Sequence, residues 1–202
     1  MLRMGLTGGI ASGKTAVAAM LREMEFRVME ADVLAHGVIE PGQPAHDEVL
    51  REFGTGFADG SGRIDRGKLA AIVFPDPAKL AKLNAIIHPR VEELVFRQFE
   101  EWKREGVQDA AFVEAALLVE AGYTKNLDGL GVVFCRPEQQ IERLLERGMS
   151  EVEARRRIAV QMPVEEKLKH ATEKIDCSGT MEETWDQVKA LAGKLRNTGT
   201  GK

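Results

Sequence analysis

The stretch Leu6-Thr7-Gly8-Gly9-Ile10-Ala11-Ser12-Gly13-Lys14-Thr15 contains a complete phosphate-binding loop, in which Gly8 is followed by four residues and then by Gly13-Lys14-Thr15. The backbone N–H groups of such a loop surround a polyphosphate, and the helix that follows adds the positive end of its dipole. The lysine reaches the β- and γ-phosphates, and the hydroxyl of the next residue coordinates Mg²⁺. The loop therefore predicts a nucleotide site with Thr15 as the metal ligand. The predicted nucleotide contacts are Gly8, Gly9, Ile10, Ala11, Ser12, Gly13, Lys14, Thr15 and Ala16.

The residues on either side of the loop have the pattern that the motif requires. Met4 and Leu6 belong to a short apolar strand predicted near Arg3–Leu6. After the loop, apolar residues recur with helical spacing and predict a helix over about 14–25. Glycine and serine also occur in ordinary flexible loops, but the order of strand, glycine loop and helix favours the phosphate-binding interpretation.

Further along the chain, strands and helices alternate, which is typical of a parallel sheet with helices on both faces. We therefore predict an α/β fold of the phosphate-loop nucleotide-kinase kind. The further strands are predicted at Phe26–Met29, Ala111–Glu114, Gly131–Cys135 and Glu173–Cys177.

Between these strands, residues of about 40–106 have only helical periodicity, and we interpret them as an inserted helical subdomain that holds the acceptor substrate. The predicted fold is thus a single domain over residues 1–196 with this insertion, followed by a disordered tail at 197–202.

The composition of the 202 residues excludes several classes of protein. A net charge of −4 lacks the basic excess of a nucleic-acid binder, and two cysteines do not make a disulfide framework. Charged residues interrupt every apolar run before it reaches the length of a membrane span, and we expect no signal peptide before the first strand. We therefore expect a cytoplasmic protein, either a monomer or a small homo-oligomer.

Asp32 follows the second predicted strand, at the edge of the sheet where parallel strands place ligands. A carboxylate there can orient an acceptor hydroxyl, or accept its proton, during in-line attack on a γ-phosphate. The alternative is that Asp32 caps a short helix beginning near Val33, which is a frequent role for aspartate.

Arginines are concentrated between residues 142 and 157, within a lid predicted over about 140–165. Arg143 and Arg147 lie four residues apart on one helix face, and guanidinium groups there can neutralise charge that develops on a γ-phosphate. For Arg155 and Arg156 we favour the alternative of a solvated helix face.

A phosphate loop is compatible with a kinase, a nucleotide-hydrolysing switch or a non-catalytic nucleotide-binding regulator. The chain lacks the Asn/Thr-Lys-x-Asp element with which a switch GTPase reads guanine. The acid at position 32 and the arginine-bearing segment favour a kinase of a small hydroxylated acceptor, with the regulator as the alternative outside enzymes.

In addition, the chain resembles the dephospho-CoA kinase family over nearly its whole length. The segments that carry this resemblance are Leu6–Thr15, Glu30-Ala31-Asp32, Val38–Gly42, Asp65–Leu69, Leu83–Pro89, Leu117–Glu120, Gln140–Arg147 and Arg157–Gln161. His36 stands where arginine is common in the family, and Glu30 stands where aspartate is common.

The resemblance implies the last step of coenzyme A synthesis, in which ATP phosphorylates the ribose 3′-hydroxyl of dephospho-CoA with Mg²⁺ as cofactor. The alternative among enzymes is a kinase of another small nucleotide-like acceptor. The resemblance also implies catalytic roles for Asp32, Lys14 and Arg147, and contacts of Arg143 with the nucleotide. The substrate-binding residues that it implies are Thr7, Asp32, His36, His88 and Glu120. For His88, the alternative is that it ends one helix while Pro89 begins the next.

Overall fold

The computed structural model describes the backbone of residues 1–199 and the side chains of residues 1–196. Within residues 1–199, five parallel strands form one sheet in the order β2-β3-β1-β4-β5. The strands are β1 (Leu2–Gly8), β2 (Arg27–Glu30), β3 (Ala110–Glu114), β4 (Gly129–Phe134) and β5 (Glu173–Asp176). The parallel α/β sheet predicted from the sequence is therefore confirmed, and its strands lie within a few residues of their predicted positions.

Helices connect the strands. Their bounds are α1 (Lys14–Glu23), α2 (Ala31–Gly37), α3 (Pro44–Phe53), α4 (Arg66–Val73), α5 (Pro77–Arg104), α6 (Pro137–Glu146), α7 (Glu151–Ala159), α8 (Val164–Leu168) and α9 (Met181–Gly199). Of the tail 197–202 that the sequence predicts to be disordered, residues 197–199 continue α9, and residues 200–202 lie outside the described residues. Within residues 1–199, no helix combines the length and the apolar character needed to cross a bilayer.

The chain forms two compact units. The first contains residues up to Glu30 and from Phe99 onward, and holds the whole sheet. All five residues of β3 are buried, as expected of an inner parallel strand covered on both faces. Phe112 of β3 lies in a core formed with α1 and α9, where its ring meets the ring of Phe26 edge-on at 5.7 Å between centroids. This core supports the strands that carry the loop.

The second unit, Ala31–Gln98, is helical and begins before the insertion predicted from the sequence. The long helix α5, which begins in this unit, continues through Pro89, so the interpretation in which Pro89 begins a new helix is wrong. Proline removes one backbone donor and crowds the preceding turn. In that turn the Arg90 guanidinium donates to the carbonyl of Ile86 at 3.1 Å and pairs with Glu48 of α3 at 2.5 Å, which anchors the disturbed turn to a neighbouring helix.

His46 of α3 is a second anchor in the helical unit. Its Nδ1 lies 2.8 Å from a carboxylate oxygen of Asp47, and its Nε2 lies 2.7 Å from the carbonyl oxygen of Gly62. Both ring nitrogens therefore face acceptors, and only the protonated imidazole can donate to both. The hydrogen bond to Asp47, followed by that to Gly62, raises the pKa of His46 above its ordinary 6.5.

This raised pKa predicts that the helical unit loses stability as the pH rises. The contribution of His46 to the free energy of unfolding is fully present below about pH 6.5, where the imidazole of the unfolded chain is also protonated. This contribution is lost as the pH rises through the higher pKa that His46 has in the folded chain. Urea unfolding at pH 5.5 and pH 8.5 should therefore show a larger loss of stability for the wild-type chain than for His46→Asn. His170→Asn, at an exposed histidine, is the control. Equal pH dependence in the wild type and His46→Asn would contradict the prediction.

Candidate active site

The phosphate loop joins the central strand β1 to the N-terminus of α1, which places it at the carboxyl end of the sheet. Gly13 precedes the helix with φ of 105°, and Ala11 has φ of 58°, so the backbone turns sharply twice within three residues. A Cβ atom on Gly13 would also lie 2.9 Å from Sγ of Cys177. Conformation and close packing together require glycine at this position.

Above the loop lies a cavity of about 430 Å³. Residues 9–16 form its floor. Its walls include residues of four other segments, namely Ala116, Arg143 and Arg147, Gln161, and Cys177, Gly179, Thr180, Met181 and Thr184. The first turn of α1 has no acidic residue, so the positive end of the helix faces this space without a fixed counter-charge in that turn. The cavity therefore suits a polyphosphate, as the sequence predicted for the loop.

Lys14 points to the end of β3, where its Nζ lies 2.5 Å from Oε1 of Glu114. The side chains are only 14% and 6% exposed, so the pair is largely withdrawn from water. The second oxygen of Glu114, Oε2, is buried and has no hydrogen-bond partner among the described residues. A buried carboxylate oxygen without a donor costs free energy, which a bound cation or an ordered water removes.

Glu114 was absent from the site residues predicted by sequence. The available signal was an acid ending an otherwise apolar strand, Ala110–Glu114, at the sheet edge that carries the loop. Thr15, the predicted metal ligand, is exposed at the start of α1 and lines the cavity. A hydroxyl and a carboxylate are the hard oxygen ligands that Mg²⁺ prefers, so these residues fit that ion.

The two predicted lid arginines differ in their partners. Arg143 of α6 donates to the carbonyl oxygens of Ala11 and Cys177 at 3.1 and 2.9 Å, so it holds the loop as well as lining the cavity. Arg147 also lines the cavity, but it is exposed and makes no ion pair among the described residues. Arg155 and Arg156 pair with glutamates of their own helix, as expected of a solvated face.

Glu120 and Thr7 have structural roles in this unit. Lys167 of α8 is fully buried, and its Nζ lies 2.8 Å from Oε1 of Glu120 and 2.5 Å from the carbonyl oxygen of Ala116. Glu120 also accepts a hydrogen bond from the N–H of Met162, and the buried Thr7 hydroxyl donates to the Ala116 carbonyl. The structure thus gives both residues partners within the fold, and their contact with a substrate stays a prediction.

The other predicted substrate contacts belong to the helical unit. Asp32 is exposed in the first turn of α2 and makes no hydrogen bond among the described residues. The helix already begins at Ala31, so the interpretation of Asp32 as a cap before Val33 is wrong. His36 is exposed on the same helix. His88 is half-buried in α5, and burial lowers its pKa, so at neutral pH it is an uncharged hydrogen-bonding group.

A phosphate loop after the central strand of a parallel sheet, beneath a cavity lined by Lys14, Arg143 and Arg147, defines the class of P-loop nucleotide-binding proteins. A shikimate kinase from Bacteroides thetaiotaomicron shares this fold, with a TM-score of 0.50 at 14% identity over 96% of this chain and 98% of that one.

Comparison with known sequences identifies the family. The dephospho-CoA kinase family model matches residues 2–183. The dephospho-CoA kinase of Aquifex aeolicus is 45% identical over 96% of this chain and 98% of its own length, and that of Bacillus anthracis is 44% identical over 94% and 95%. The chain belongs to the dephospho-CoA kinase family.

Solved structures show the same fold. The structure of a Thermus thermophilus protein has a TM-score of 0.80 and 36% identity, and the match covers 96% of this chain and 97% of that one. The dephospho-CoA kinase from Campylobacter jejuni has the same fold, with a TM-score of 0.73 at 24% identity over 97% and 98% of the two chains.

The buried ion pair between Lys167 and Glu120 predicts an asymmetric effect of substitution. Glu120→Leu leaves a fully buried ammonium without its counter-ion and should cost about 3–5 kcal/mol of unfolding free energy. Lys167→Met should cost less, because Glu120 is 24% exposed and keeps the Met162 N–H and water as partners. Urea unfolding of both variants gives the order, and Lys169→Met, at an exposed pair, is the control. Equal losses for Glu120→Leu and Lys167→Met would contradict the asymmetry.

Proposed function

We propose that this protein transfers the γ-phosphoryl group of ATP to the ribose 3′-hydroxyl of dephospho-CoA, which yields ADP and coenzyme A. The observation that carries the proposal is the match of residues 2–183 to the dephospho-CoA kinase family. The geometry of the first unit supports it, because a phosphate loop, Lys14 and two arginines surround one cavity. Such a reaction depends on positioning and on charge neutralisation far more than on covalent chemistry.

In the proposed reaction the 3′-hydroxyl oxygen attacks the γ-phosphorus in line. A bond forms between these two atoms, the bond from the γ-phosphorus to the bridging oxygen breaks, and ADP leaves with the electron pair. Asp32 orients the hydroxyl and accepts its proton. The loop N–H groups and Lys14 hold the phosphates, and Arg147, which has no ion pair among residues 1–196, neutralises the charge on the transferred group.

Thr15 and Glu114 would hold Mg²⁺ in this scheme, and the ion would neutralise negative charge on the β- and γ-phosphates. Lys14 would then exchange its carboxylate partner for phosphate oxygens. The Oε2 atom of Glu114, buried without a donor among the described residues, supports this assignment.

We further propose that the helical unit Ala31–Gln98 binds the acceptor and that residues 140–165 act as the lid. Asp32, His36 and His88 all belong to the helical unit. A neutral His88 would donate or accept a hydrogen bond but would not compensate phosphate charge. The proposal places the reaction in the cytoplasm and keeps the expectation of a monomer or a small homo-oligomer.

The direct test is to incubate the protein with ATP, Mg²⁺ and dephospho-CoA and to detect coenzyme A by mass spectrometry. We expect a product heavier than dephospho-CoA by one phosphoryl group, formed with one ADP per product. Phosphorylation of a nucleoside monophosphate without formation of coenzyme A would overturn the proposal. Binding of ATP without transfer to either acceptor would overturn it in favour of a regulator.

Substitution of Asp32 should separate turnover from ATP binding. Asp32→Asn retains the shape of the side chain but not its basicity, so kcat should fall by about 10²–10⁴-fold while the Kd of ATP is unchanged. Lys14→Ala should lower kcat and also weaken the binding of ATP, because it removes a side chain that binds the phosphates. Steady-state kinetics and calorimetric titration with ATP measure the two effects, with Asp186→Asn on the exposed face of α9 as the control. Near-normal turnover of Asp32→Asn would exclude Asp32 as the base.

A further inference from the structure

Ile10, in the outer turn of the phosphate loop, has both of its backbone polar groups bound by glutamine side chains. Its N–H donates to Oε1 of Gln161 at 2.8 Å, and its carbonyl oxygen accepts a hydrogen bond from Nε2 of Gln140 at 2.7 Å. The two amides therefore have opposite roles, one as acceptor and one as donor. Together they fix the orientation of the peptide units on either side of Ile10.

The two glutamines come from opposite ends of the predicted lid. Gln140 lies in the first half of α6, on the same face as Arg143 and Arg147, and Gln161 follows the end of α7. The next residue, Met162, donates its N–H to Glu120, which is paired with the buried Lys167. One end of the predicted lid is thus part of the helix that carries Arg143, and the other is bound to Glu120 in the turn after β3.

Gly9 shows how tightly this arrangement is packed. A Cβ atom at this position would lie 2.7 Å from Nε2 of Gln140 and 3.7 Å from Oε1 of Gln161. The backbone of Gly9 has no positive φ, so the position is restricted by the amide of Gln140 and not by its own conformation. The phosphate-loop motif itself does not demand glycine there, since it requires only Gly8 and Gly13.

We propose that Gln140 and Gln161 are positioning residues that hold the outer turn of the loop in its nucleotide-binding shape. The loop N–H groups can surround a polyphosphate only if the peptide units keep their orientation, and the two amides supply that constraint from outside the loop. The inference rests on the proposed use of the loop for ATP, but it does not depend on the identity of the acceptor.

The test is the Kd of Mg²⁺-ATP, measured by titration calorimetry on the full chain. Gln140→Met and Gln161→Met keep the length of the side chain and remove its hydrogen bond, and each should raise Kd by about 3–10-fold. Gln108→Met, at an exposed residue before the amino end of β3, is the matched control and should leave Kd unchanged. If the two glutamines only stabilised the fold, a smaller fraction of each variant would be folded, and the number of binding sites per chain would fall while Kd stayed unchanged.

The opposite roles of the two amides give a sharper comparison. Gln161→Glu keeps an acceptor for the Ile10 N–H, whereas Gln140→Glu places a carboxylate against the Ile10 carbonyl oxygen. Both variants add one negative charge near Gly9, and Gln161 also lines the cavity, so a difference in repulsion of ATP would raise Kd for Gln161→Glu and oppose the expected order. We expect Kd for Gln140→Glu to exceed that for Gln161→Glu by about tenfold or more. Equal Kd values for this pair, or unchanged Kd in both methionine variants, would overturn the proposal.

Gly9→Ala supplies an independent check. Its Cβ should displace the amide of Gln140 and raise Kd about as much as Gln140→Met does. In the double variant Gly9→Ala/Gln140→Met the amide is already absent, so Kd should be no higher than in Gln140→Met alone. Additive effects would show that Gly9 acts independently of Gln140 and would contradict this part of the proposal. These titrations measure ATP binding alone, so they still test the roles of the two glutamines if the protein forms no coenzyme A in the assay above.

Discussion

A loop that uses its backbone N–H groups to bind a phosphate cannot use the same groups for hydrogen bonds that hold its own shape. Other parts of the first unit must therefore hold the loop. The loop carbonyls and its outer N–H are held instead by side chains from α6 and from the segment after α7, through Arg143, Gln140 and Gln161. Gly13 packs against Cys177 at the end of β5. Separate segments of the first unit therefore contact the loop from outside: α6, the segment after α7 and the residue after β5.

The cations around the cavity divide according to their partners. Lys14 and Arg143 are bound within the protein, to Glu114 and to backbone carbonyls, while Arg147 has no ion pair among the described residues. The pair of Lys14 with Glu114 offsets the cost of burying either charge alone. In the proposed reaction Lys14 would bind phosphate oxygens in place of the carboxylate, and Glu114 and Thr15 would hold a metal ion that supplies further positive charge.

Local patterns predicted the loop, all of the strands of the described sheet and the helical character of residues of about 40–106, because these depend on hydrophobic periodicity and on glycine at particular positions. The alternative in which Pro89 begins a helix was wrong because the effect of proline on a helix depends on what stabilises the disturbed turn. Here Arg90 stabilises that turn through the Ile86 carbonyl and Glu48 of α3. Glu114 was missed because an acid at the end of a strand has a role only through its neighbours. Glu120 matched a family segment, but its partner Lys167 lies 47 residues away and could not be inferred from spacing.

The sequence by itself determined the backbone conformation of the loop, the class of ligand that it holds and the family to which the chain belongs. Those properties follow from residues that are adjacent or regularly spaced, and each residue type has its effect locally. Only the tertiary structure decided which side chains hold the loop. Gln161 reaches Ile10 across 151 residues of chain, and it belongs to the segment between β4, which lies beside β1, and β5, which lies beside β4. Such pairings depend on the topology of the sheet, which no local pattern of residues encodes.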